Sequence, residues 1–383
     1  MDSEVPSIVR TVLYALRARL TSPRPRRRPA APARILVAPH LRLGDALLIT
    51  SLLAKLREQY PAAEIVLIST PPMRALYQTK PYGVTIWPYH PRRFETVAAM
   101  LARPGFDLAI IPGDNRHGWL AAALQAKWIV AHAGDRPRVK SWLIDELIEY
   151  PQSPMAMTDI FTALCPGPEP LPFSRADWPQ PDFKPFNLPP APYAVLHTGA
   201  STPLKFWPPA HWRHLAGWLA ERGVTPVWSA GPGEESLTAR IDPEGRYASY
   251  AGRLDLAQMW ELMARAALFI SPDTGVAHLA RLTGVPAISL FGPGNPLLFG
   301  RGRFWRDTPC AEIAIEPFPC RDQDDVFKRR RAWIERCSRT PGQCVGKVGC
   351  MDQIGVSLVT AAIERLWARA NLSPATAPKA AGG

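Results

Sequence analysis

The sequence predicts an α/β protein built from two Rossmann-like, doubly wound domains. With 383 residues, the chain is long for a single hydrophobic core. Apolar runs of strand length alternate with amphipathic helices in both halves of the chain. A proline-rich stretch at 166–192 separates the halves, and neither helices nor central strands tolerate that composition. We therefore expect a first domain at 34–165, a linker at 166–192 and a second domain at 193–356.

The net charge of +12 predicts an anionic partner, which would be nucleic acid, an acidic membrane surface or an anionic small molecule. No zinc-finger, RNP or helix-turn-helix pattern is present, so we expect no nucleic-acid partner. No apolar run approaches the ~20 residues of a membrane span. The N-terminal apolar residues are interrupted by arginines and lack a cleavage site, which argues against a signal peptide. The sequence therefore predicts a cytoplasmic protein.

An N-terminal arm at 1–33 precedes the first domain. Its apolar residues recur at helical spacing over 5–20, and a basic run follows that contains Arg24, Arg26, Arg27 and Arg28. A basic amphipathic helix of this kind can lie on an anionic bilayer surface. It can equally pack on the body of the protein and be followed by a solvated linker. Both interpretations stay open.

The first domain opens with a short buried strand at 35–38, a loop, a helix that carries Leu56, and a strand at 64–69. No G-x-G-x-x-G follows the first strand, which disfavours dinucleotide binding. The loop instead holds Gly44 and Asp45. Gly44 allows a tight turn, and Asp45 stands where strand ends present catalytic groups. The alternative is that Asp45 serves only as a helix cap.

Further strands are expected at 84–87, 107–111 and 128–131, with a helix at 119–126. Cationic side chains in and between the loops of this half could form an anion-binding face, or could be scattered solvated charges. They are Arg92, Arg93, Arg116, Arg136, Arg138 and Lys140.

The second domain starts with a strand at 193–197, which runs into small and hydroxyl residues followed by Lys205. Backbone N–H groups, hydroxyls and a cation suit phosphate binding, although G-x-x-x-x-G-K-[ST] is absent. A helix to about Arg222, a strand at 225–229 and a helix at 256–266 follow. Glu234 or Glu235, after the second of these strands, could hold ribose hydroxyls or could be a helix N-terminal charge.

Residues 267–294 form a strand–helix–strand unit around Asp273-Thr274-Gly275. Gly284 is the expected helix stop, and 285–291 is the second strand. Polar residues at the carboxyl end of a parallel strand, followed by a helix N-terminus, favour an anion such as a phosphate. The alternative is an ordinary βαβ unit with a capping Asp273 and a satisfied His278.

A C-terminal helix is expected at 357–372, before a flexible tail at 373–383. Cytoplasmic cysteines are thiols or metal ligands more often than disulfides. The C-terminal cysteines are spaced too irregularly for paired C-x-x-C zinc knuckles, so we expect free thiols and no metal, with metal binding as the alternative.

Four motifs together resemble those of glycosyltransferase family 9, the bacterial lipopolysaccharide heptosyltransferases. They are HLRLGDALLITSLLAKLREQYP, TGASTPLKFWPPAHWRHLA, WSAGPGEES and SPDTGVAHLARLTGVPAISLFGP, and the resemblance runs in the family's order over about residues 34–360. It implies a GT-B fold, with two Rossmann-like domains facing across a cleft. It also implies an inverting, metal-independent transfer of heptose from ADP-heptose to the anionic lipopolysaccharide inner core. ADP-heptose is then a co-substrate and no cofactor is expected.

The resemblance also implies residue roles. Asp45 corresponds to the general base. Lys205 corresponds to the lysine that meets the donor diphosphate, with Thr198 and Ser201 in the preceding loop. Glu234 corresponds to the acidic residue near the donor ribose, with Glu235 as its alternative. The remaining donor-site motif is Asp273, Thr274, Gly275 and His278, and the acceptor-binding residues that we expect are Arg42, Arg116, His117 and Arg138.

Two other functions remain as alternatives. The first is a related GT-B enzyme that uses another nucleotide sugar, either as a transferase or as an epimerase or hydrolase. The second is a non-catalytic, membrane-associated binding protein, against which Gly44-Asp45 and Lys205 argue. If the arm does bind a membrane, the protein is peripheral at the cytoplasmic face of the inner membrane.

Overall fold

The computed structural model describes residues 6–21, 27–318, 320–346 and 349–369. The chain divides into two compact units. Unit 1 comprises Met1–Pro172, Asp177–Pro179 and Asp325–Trp333, and unit 2 comprises Phe173–Ala176, Gln180–Asp324 and Ile334–Gly383.

Unit 1 is built on a six-stranded parallel sheet whose strands alternate with helices. Its strands are β1 (Arg34–Val37), β2 (Glu64–Ser69), β3 (Val84–Pro88), β4 (Leu108–Ile111), β5 (Trp128–His132) and β6 (Glu146–Ile148), in the order β3-β2-β1-β4-β5-β6. Its helices are α1 (Ser7–Thr21), α2 (Leu43–Leu48), α3 (Thr50–Gln59), α4 (Phe94–Leu101), α5 (His117–Ala123) and α6 (Met157–Thr162). The central strands are buried along nearly their whole length, which is why they read as apolar runs in the sequence.

The helix expected after β1 is divided into α2 and α3. Ile49 joins them with φ −77° and ψ 0°, and the Thr50 hydroxyl donates to the Leu47 carbonyl oxygen at 2.6 Å. A threonine hydroxyl that bonds back to an earlier carbonyl competes with the helical ladder. The break leaves α2 as a short helix that carries Asp45 in its first turn.

Unit 2 is built on a five-stranded parallel sheet. Its strands are β7 (Tyr193–His197), β8 (Thr225–Ser229), β9 (Leu268–Pro272), β10 (Ala287–Phe291) and β11 (Cys310–Ala314), in the order β11-β10-β9-β7-β8. Its helices are α7 (Pro209–Glu221), α8 (Glu235–Ile241), α9 (Leu256–Ala264), α10 (Gly275–Thr283), α11 (Pro296–Phe299) and α12 (Val356–Arg369). Gly284 ends α10 with a left-handed φ of 74°, as expected for a glycine C-cap.

Each sheet has one point at which the direction of winding reverses. In unit 1 it lies between β1 and β4, and in unit 2 it lies between β7 and β9. Loops that leave the carboxyl ends of two such neighbouring strands diverge, and the crevice between them is where ligands bind in open α/β sheets. Asp45, Lys205 and Asp273 all lie in segments that follow strands at these two points.

Helix α1 packs on unit 1 through its small side chains. Thr11 and Ala15 are buried, and Arg19 donates to Asp145 at 3.0 Å. The large apolar side chains of this helix are exposed, namely Ile8, Val9, Leu13, Tyr14, Leu16 and Leu20. Of these, Tyr14 stacks on Phe94 of α4. Part of the basic run after the helix, including Arg24 and Arg26, lies outside the described residues.

A short hairpin from the second half of the chain belongs to unit 1. Strands β12 (Asp325–Val326) and β13 (Arg329–Arg330) pair antiparallel, and the surrounding segment, Asp325–Trp333, is part of that unit. The second domain predicted from the sequence, 193–356, is continuous, whereas in the structure the segment Asp325–Trp333 within that range belongs to unit 1.

The predicted linker at 166–192 is also shared between the units, with Asp177–Pro179 in unit 1 and Phe173–Ala176 in unit 2. The expected C-terminal helix corresponds to α12, and the end predicted for it at 372 and the predicted tail at 373–383 lie outside the described residues. Within the described ranges, the helices are too short or too polar to cross a membrane.

Candidate functional site

In unit 1, the loop after β1 brings a histidine to the candidate base. Asp45 Oδ2 lies 3.0 Å from His40 Nδ1, and both side chains are partly exposed. Arg42, not Asp45, occupies the N-cap position of α2. Asp45 is the third residue of the helix, and its carboxylate reaches His40. His40 was not among the site residues predicted from the sequence. The available signal was its position in the same strand-to-helix loop, five residues before Asp45.

His117 has a different environment from the one expected of an acceptor-binding cation. It is only 5% exposed, its Nδ1 lies 3.3 Å from the Ala38 carbonyl oxygen, and its ring is edge-on to Tyr89. Burial lowers the pKa of His117 to about 4, so the ring is neutral at neutral pH. His117 therefore supports the loop after β1 and supplies no positive charge.

Two of the cations at this edge are organised by buried carboxylates. Arg116 donates to Asp114 through Nη2 at 2.6 Å and through its backbone N–H at 2.9 Å. Lys140 Nζ lies 3.0 Å from Asp135 Oδ1 and 3.2 Å from Asp114 Oδ1. Burial would raise the pKa of Asp114, but Arg116 and Lys140 hold it well below its usual range. The outer part of Arg116 remains exposed, as do the other two candidate acceptor arginines, Arg42 and Arg138.

In unit 2, an ion pair joins the loops that follow β7 and β9. Lys205 Nζ donates to Asp273 Oδ2 and to the Asp273 carbonyl oxygen, each at 2.7 Å. Asp273 is buried, whereas Lys205 keeps a fifth of its side chain exposed. Burial alone would raise the pKa of Asp273, yet the ammonium outweighs it and the net shift is downward. The pair therefore holds a cation, partly open to solvent, at the switch point of this sheet.

The N-terminus of α10 lies directly after Asp273. Thr274 is the N-cap residue, with an extended backbone and no side-chain capping bond, so this helix end offers N–H groups to a ligand. Within the described part of the chain, the buried Ser271 Oγ and His278 Nδ1 have no hydrogen-bond partner. Burial, and then Arg281, lower the pKa of His278 to about 3, so it is a neutral hydrogen-bonding group.

Glu234 closes the other side of the β7 loop. Its carboxylate accepts from the Ala200 N–H at 3.1 Å and from the Gly231 N–H at 2.8 Å. A Cβ at Gly199 would lie 1.9 Å from Glu234 Oε2, so this approach requires glycine. Glu235 is exposed and accepts from the Gly233 N–H at 3.0 Å. Of the two acidic residues, Glu234 is therefore the one that lies against the β7 loop.

The two hydroxyl residues expected in the β7 loop differ in exposure. The Thr198 N–H donates to the Ser229 carbonyl oxygen at 2.8 Å and its side chain is buried, whereas Ser201 is exposed. Thr198 thus fixes the start of the loop onto β8, and Ser201 is accessible to a ligand.

The C-terminal cysteines lie close together in unit 2. Cys320, Cys337, Cys344 and Cys350 line one small cavity with Phe318 and Arg321 among its other walls. Their thiols are free, and over the described ranges no three His, Cys, Asp or Glu side chains are grouped as metal ligands. These cysteines are irregularly spaced in the sequence, but in the folded unit they line the same cavity.

A family comparison fits the arrangement of the two sheets. The family model described as glycosyltransferase family 9 (heptosyltransferase) matches residues 97–329, more than half of the chain. The chain belongs to glycosyltransferase family 9. The matched range contains every donor-site candidate, whereas Asp45 precedes it. The resemblance noted from the sequence motifs is thereby confirmed.

Named relatives of this family 9 member are heptosyltransferases. Lipopolysaccharide heptosyltransferase 1 of Pseudomonas aeruginosa is 38% identical over 130 residues, which are 32% of this chain and 36% of the relative. The lipopolysaccharide core heptosyltransferase OpsX of Haemophilus influenzae is 25% identical over 277 residues, 67% of this chain and 78% of the relative. The match thus spans about a third of the length of the Pseudomonas relative and 78% of the length of OpsX.

Solved structures of the family share the fold. A family 9 glycosyltransferase from Veillonella parvula has a TM-score of 0.66 at 16% identity, covering 89% of this chain and 98% of that one. The ADP-heptose lipopolysaccharide heptosyltransferase II of E. coli has a TM-score of 0.64 at 18% identity, covering 88% and 99%. E. coli heptosyltransferase WaaC with ADP has a TM-score of 0.63 at 20% identity, covering 87% and 99%. The predicted GT-B fold class, with two Rossmann-like domains, is confirmed.

Replacing Lys205 by methionine tests the ion pair through stability. The pKa of Asp273 is lowered from 3.8, so the stability contributed by this carboxylate is present above pH 3.8 and is lost as the pH falls through the lowered value. In Lys205→Met the burial cost is uncompensated, and we expect a loss of roughly 3 kcal/mol at neutral pH. The difference in free energy of unfolding between the wild type and Lys205→Met should narrow on acidification, because the unpaired Asp273 of the variant takes up a proton more readily.

Urea unfolding at several pH values between about 4 and 8 measures this difference in free energy of unfolding. The control is the double variant Lys205→Met/Asp273→Asn, which removes the buried charge and should recover most of the lost stability. A difference independent of pH, or a double variant no more stable than Lys205→Met, would contradict the account.

Proposed function

We propose that the protein is an inverting, metal-independent glycosyltransferase that transfers heptose from ADP-heptose to the anionic inner core of lipopolysaccharide. The observation that carries the proposal is the Lys205–Asp273 pair beside the N-terminus of α10, at the switch point of unit 2. The names of the relatives support the choice of substrates, since they are lipopolysaccharide heptosyltransferases, and one solved relative is described with ADP-2-deoxy-2-fluoro heptose.

The donor diphosphate would be bound by Lys205 and the first N–H groups of α10. A partly exposed ammonium and a helix N-terminus both favour negative charge. As the bond between the anomeric carbon and the phosphate oxygen breaks, its electron pair goes to ADP, and these groups stabilise the growing charge. This stabilisation takes the role that a divalent cation has in other transferases. Ser201, Thr274 and the neutral His278 would contribute hydrogen bonds, and Glu234 would meet the ribose.

The acceptor would be activated in unit 1. A sugar hydroxyl is a poor nucleophile, so a carboxylate within hydrogen-bond reach must accept its proton as the new bond to the anomeric carbon forms. Asp45 has this role in the proposal. His40 Nδ1 lies 3.0 Å from the carboxylate that receives the proton. Direct displacement by the acceptor oxygen inverts the anomeric configuration.

An anionic acceptor suits the exposed cations of unit 1. Arg116 is positioned by Asp114 but keeps an exposed guanidinium, and Arg42 and Arg138 are exposed on neighbouring loops. Guanidinium groups bind phosphate and carboxylate in a bidentate manner. These residues would therefore bind the charged substituents of the core sugars.

The transfer assay combines purified protein with ADP-heptose and a heptose-free lipopolysaccharide core. We expect release of ADP together with a glycosylated acceptor. In Asp45→Asn, turnover should fall by about 10²–10⁴-fold while donor binding is retained, because proton acceptance is lost and the donor groups are untouched. Glu95→Gln is the matched control, since Glu95 is also an acidic residue in the first turn of a helix, α4.

Three results would contradict the proposal. An active Asp45→Asn variant would remove Asp45 from the role of base. Consumption of ADP-heptose without any acceptor would indicate an epimerase or hydrolase. Absence of transfer with ADP-heptose, accompanied by transfer with another nucleotide sugar, would reassign the donor.

The exposed face of α1 supports a further part of the proposal, which is peripheral contact with the cytoplasmic face of the inner membrane. Val9, Leu13, Leu16 and Leu20 recur at helical spacing on one exposed stripe, and Leu20 is 87% exposed. The exposed Arg17 borders this stripe, and the chain carries a net charge of +12. An apolar stripe bordered by cations suits an anionic lipid surface.

Vesicle co-sedimentation tests this contact. We expect the protein to bind vesicles that contain anionic lipid, and we expect the triple variant Leu13→Ser/Leu16→Ser/Leu20→Ser to lose that binding. The fold should be retained because all three side chains are exposed. Leu171→Ser/Leu297→Ser is the matched control, with two exposed leucines elsewhere. Undiminished binding by the triple variant would contradict the assignment of α1.

A further inference from the structure

The hairpin of β12 and β13 is anchored to unit 1 by one buried arginine. Arg329 is 1% exposed, and its guanidinium makes five hydrogen bonds. Nε donates to the Ala133 carbonyl oxygen at 2.9 Å, and Nη1 donates to the Gly113 carbonyl oxygen at 2.6 Å and to that of Phe327 at 3.2 Å. Nη2 donates to Asn115 Oδ1 at 2.8 Å and to the His132 carbonyl oxygen at 2.9 Å.

This anchor fixes the hairpin to the loops that leave β4 and β5. A guanidinium has five N–H groups, and five hydrogen bonds offset the cost of its burial. Arg331 adds a bond from Nη2 to the Tyr150 carbonyl oxygen at 3.1 Å, and Trp333 adds one from Nε1 to that of Pro151 at 3.2 Å. The tip of the hairpin is thereby held in one place at the carboxyl edge of the sheet.

The tip has a backbone conformation that its side chains disfavour. Phe327 has φ 48° and Lys328 has φ 61°, both in the left-handed region. A two-residue hairpin turn of this kind is normally made by Asn-Gly or Gly-Gly. Left-handed non-glycine residues concentrate at functional sites, where the side chain is retained despite the strain. Phe327 and Lys328 are such a pair.

Phe327 lies beside the candidate base. Its ring centroid is 6.0 Å from that of His40, whose Nδ1 contacts Asp45, and 6.5 Å from that of Phe161. A Cβ at Gly113 would lie 3.3 Å from the Phe327 ring, and Gly113 has φ +93°, so glycine there leaves room for the ring. Phe327 is half-buried and Lys328 is exposed. The tip therefore presents part of an aromatic ring next to His40, and the residue that follows the ring, Lys328, is an exposed cation.

We propose that the hairpin tip, Phe327 and Lys328, forms part of the acceptor-recognition surface. The ring packs against the hydrocarbon face of the acceptor sugar, and the ammonium pairs with an anionic substituent on that sugar. This inference rests on the proposed function, because it assigns these residues to the acceptor of that reaction. It commits the hairpin to acceptor binding and leaves donor binding to unit 2.

The turn offers a variant that removes both side chains and keeps the backbone. Phe327→Asn/Lys328→Gly introduces the sequence that this turn prefers, so the hairpin should still form. Lys127→Ala is the control for loss of an exposed cation, because Lys127 precedes β5 and lies at the amino end of the sheet's strands. Deacylated, heptose-free lipopolysaccharide core serves as the acceptor, both with and without its phosphate groups.

In steady-state assays, the double variant should raise the acceptor KM by on the order of tenfold, with an unchanged donor KM. Lys328→Ala should lose affinity for the phosphorylated core only, and Lys127→Ala should resemble the wild type. An unchanged acceptor KM in the double variant would overturn the inference, as would an equal rise in donor KM, since the latter indicates a merely structural hairpin.

Titration of the core without donor separates this inference from the proposed function. If the wild type binds the core but transfers no heptose, the proposed function fails, and the affinity of the double variant still decides the role of the hairpin. If the wild type transfers heptose and the double variant binds the core equally well, only the hairpin inference fails.

Discussion

The ion pair between Lys205 and Asp273 holds the two loops of the unit 2 switch point at a fixed separation, with 2.7 Å between Nζ and Oδ2. A carboxylate that is buried needs a cation to remain charged, and this cation is the same one that would meet a diphosphate. The site is therefore organised before a ligand arrives, which is the condition for electrostatic stabilisation without reorganisation. Gly294 shows how tightly the pair is enclosed, since a Cβ there would lie 2.5 Å from Asp273 Oδ2.

Unit 1 uses the same logic with different residues. Buried carboxylates at Asp114 and Asp135 position Arg116 and Lys140, and His40 contacts Asp45 at the neighbouring loop. The hairpin also links distant parts of the chain. Arg329, from the second half of the sequence, donates hydrogen bonds to the carbonyl oxygens of Gly113 and His132 in the first half. Residues distant in sequence thus meet at the carboxyl ends of β4 and β5.

Several features followed from the sequence because a single physical rule decides them. Buried parallel strands are apolar runs, so β2, β7 and β8 have the predicted bounds, and Gly284 ends α10 as its left-handed φ requires. Other features depend on partners that sequence does not reveal. The orientation of α1 could not be predicted from its apolar residues. The small residues Thr11 and Ala15 are buried against unit 1, whereas the large apolar side chains at helical spacing are exposed. Arg329 lies in a run of cations that reads as solvated, and Phe327-Lys328 is not a turn signal, so neither the anchor nor the tip was foreseen. Glu234 and Glu235 are adjacent in sequence, and only the backbone N–H groups that each carboxylate accepts from show which of them lies against the β7 loop.

The most direct test of the central claim is a calorimetric titration of ADP-heptose, without acceptor, into the wild type and Lys205→Met. Because Lys205 would bind the donor diphosphate, we predict that the Kd for ADP-heptose rises by about tenfold or more in the variant. Lys127→Met, which removes an exposed lysine in unit 1, should bind as the wild type does. Equal affinities for the wild type and a folded Lys205→Met would contradict the account.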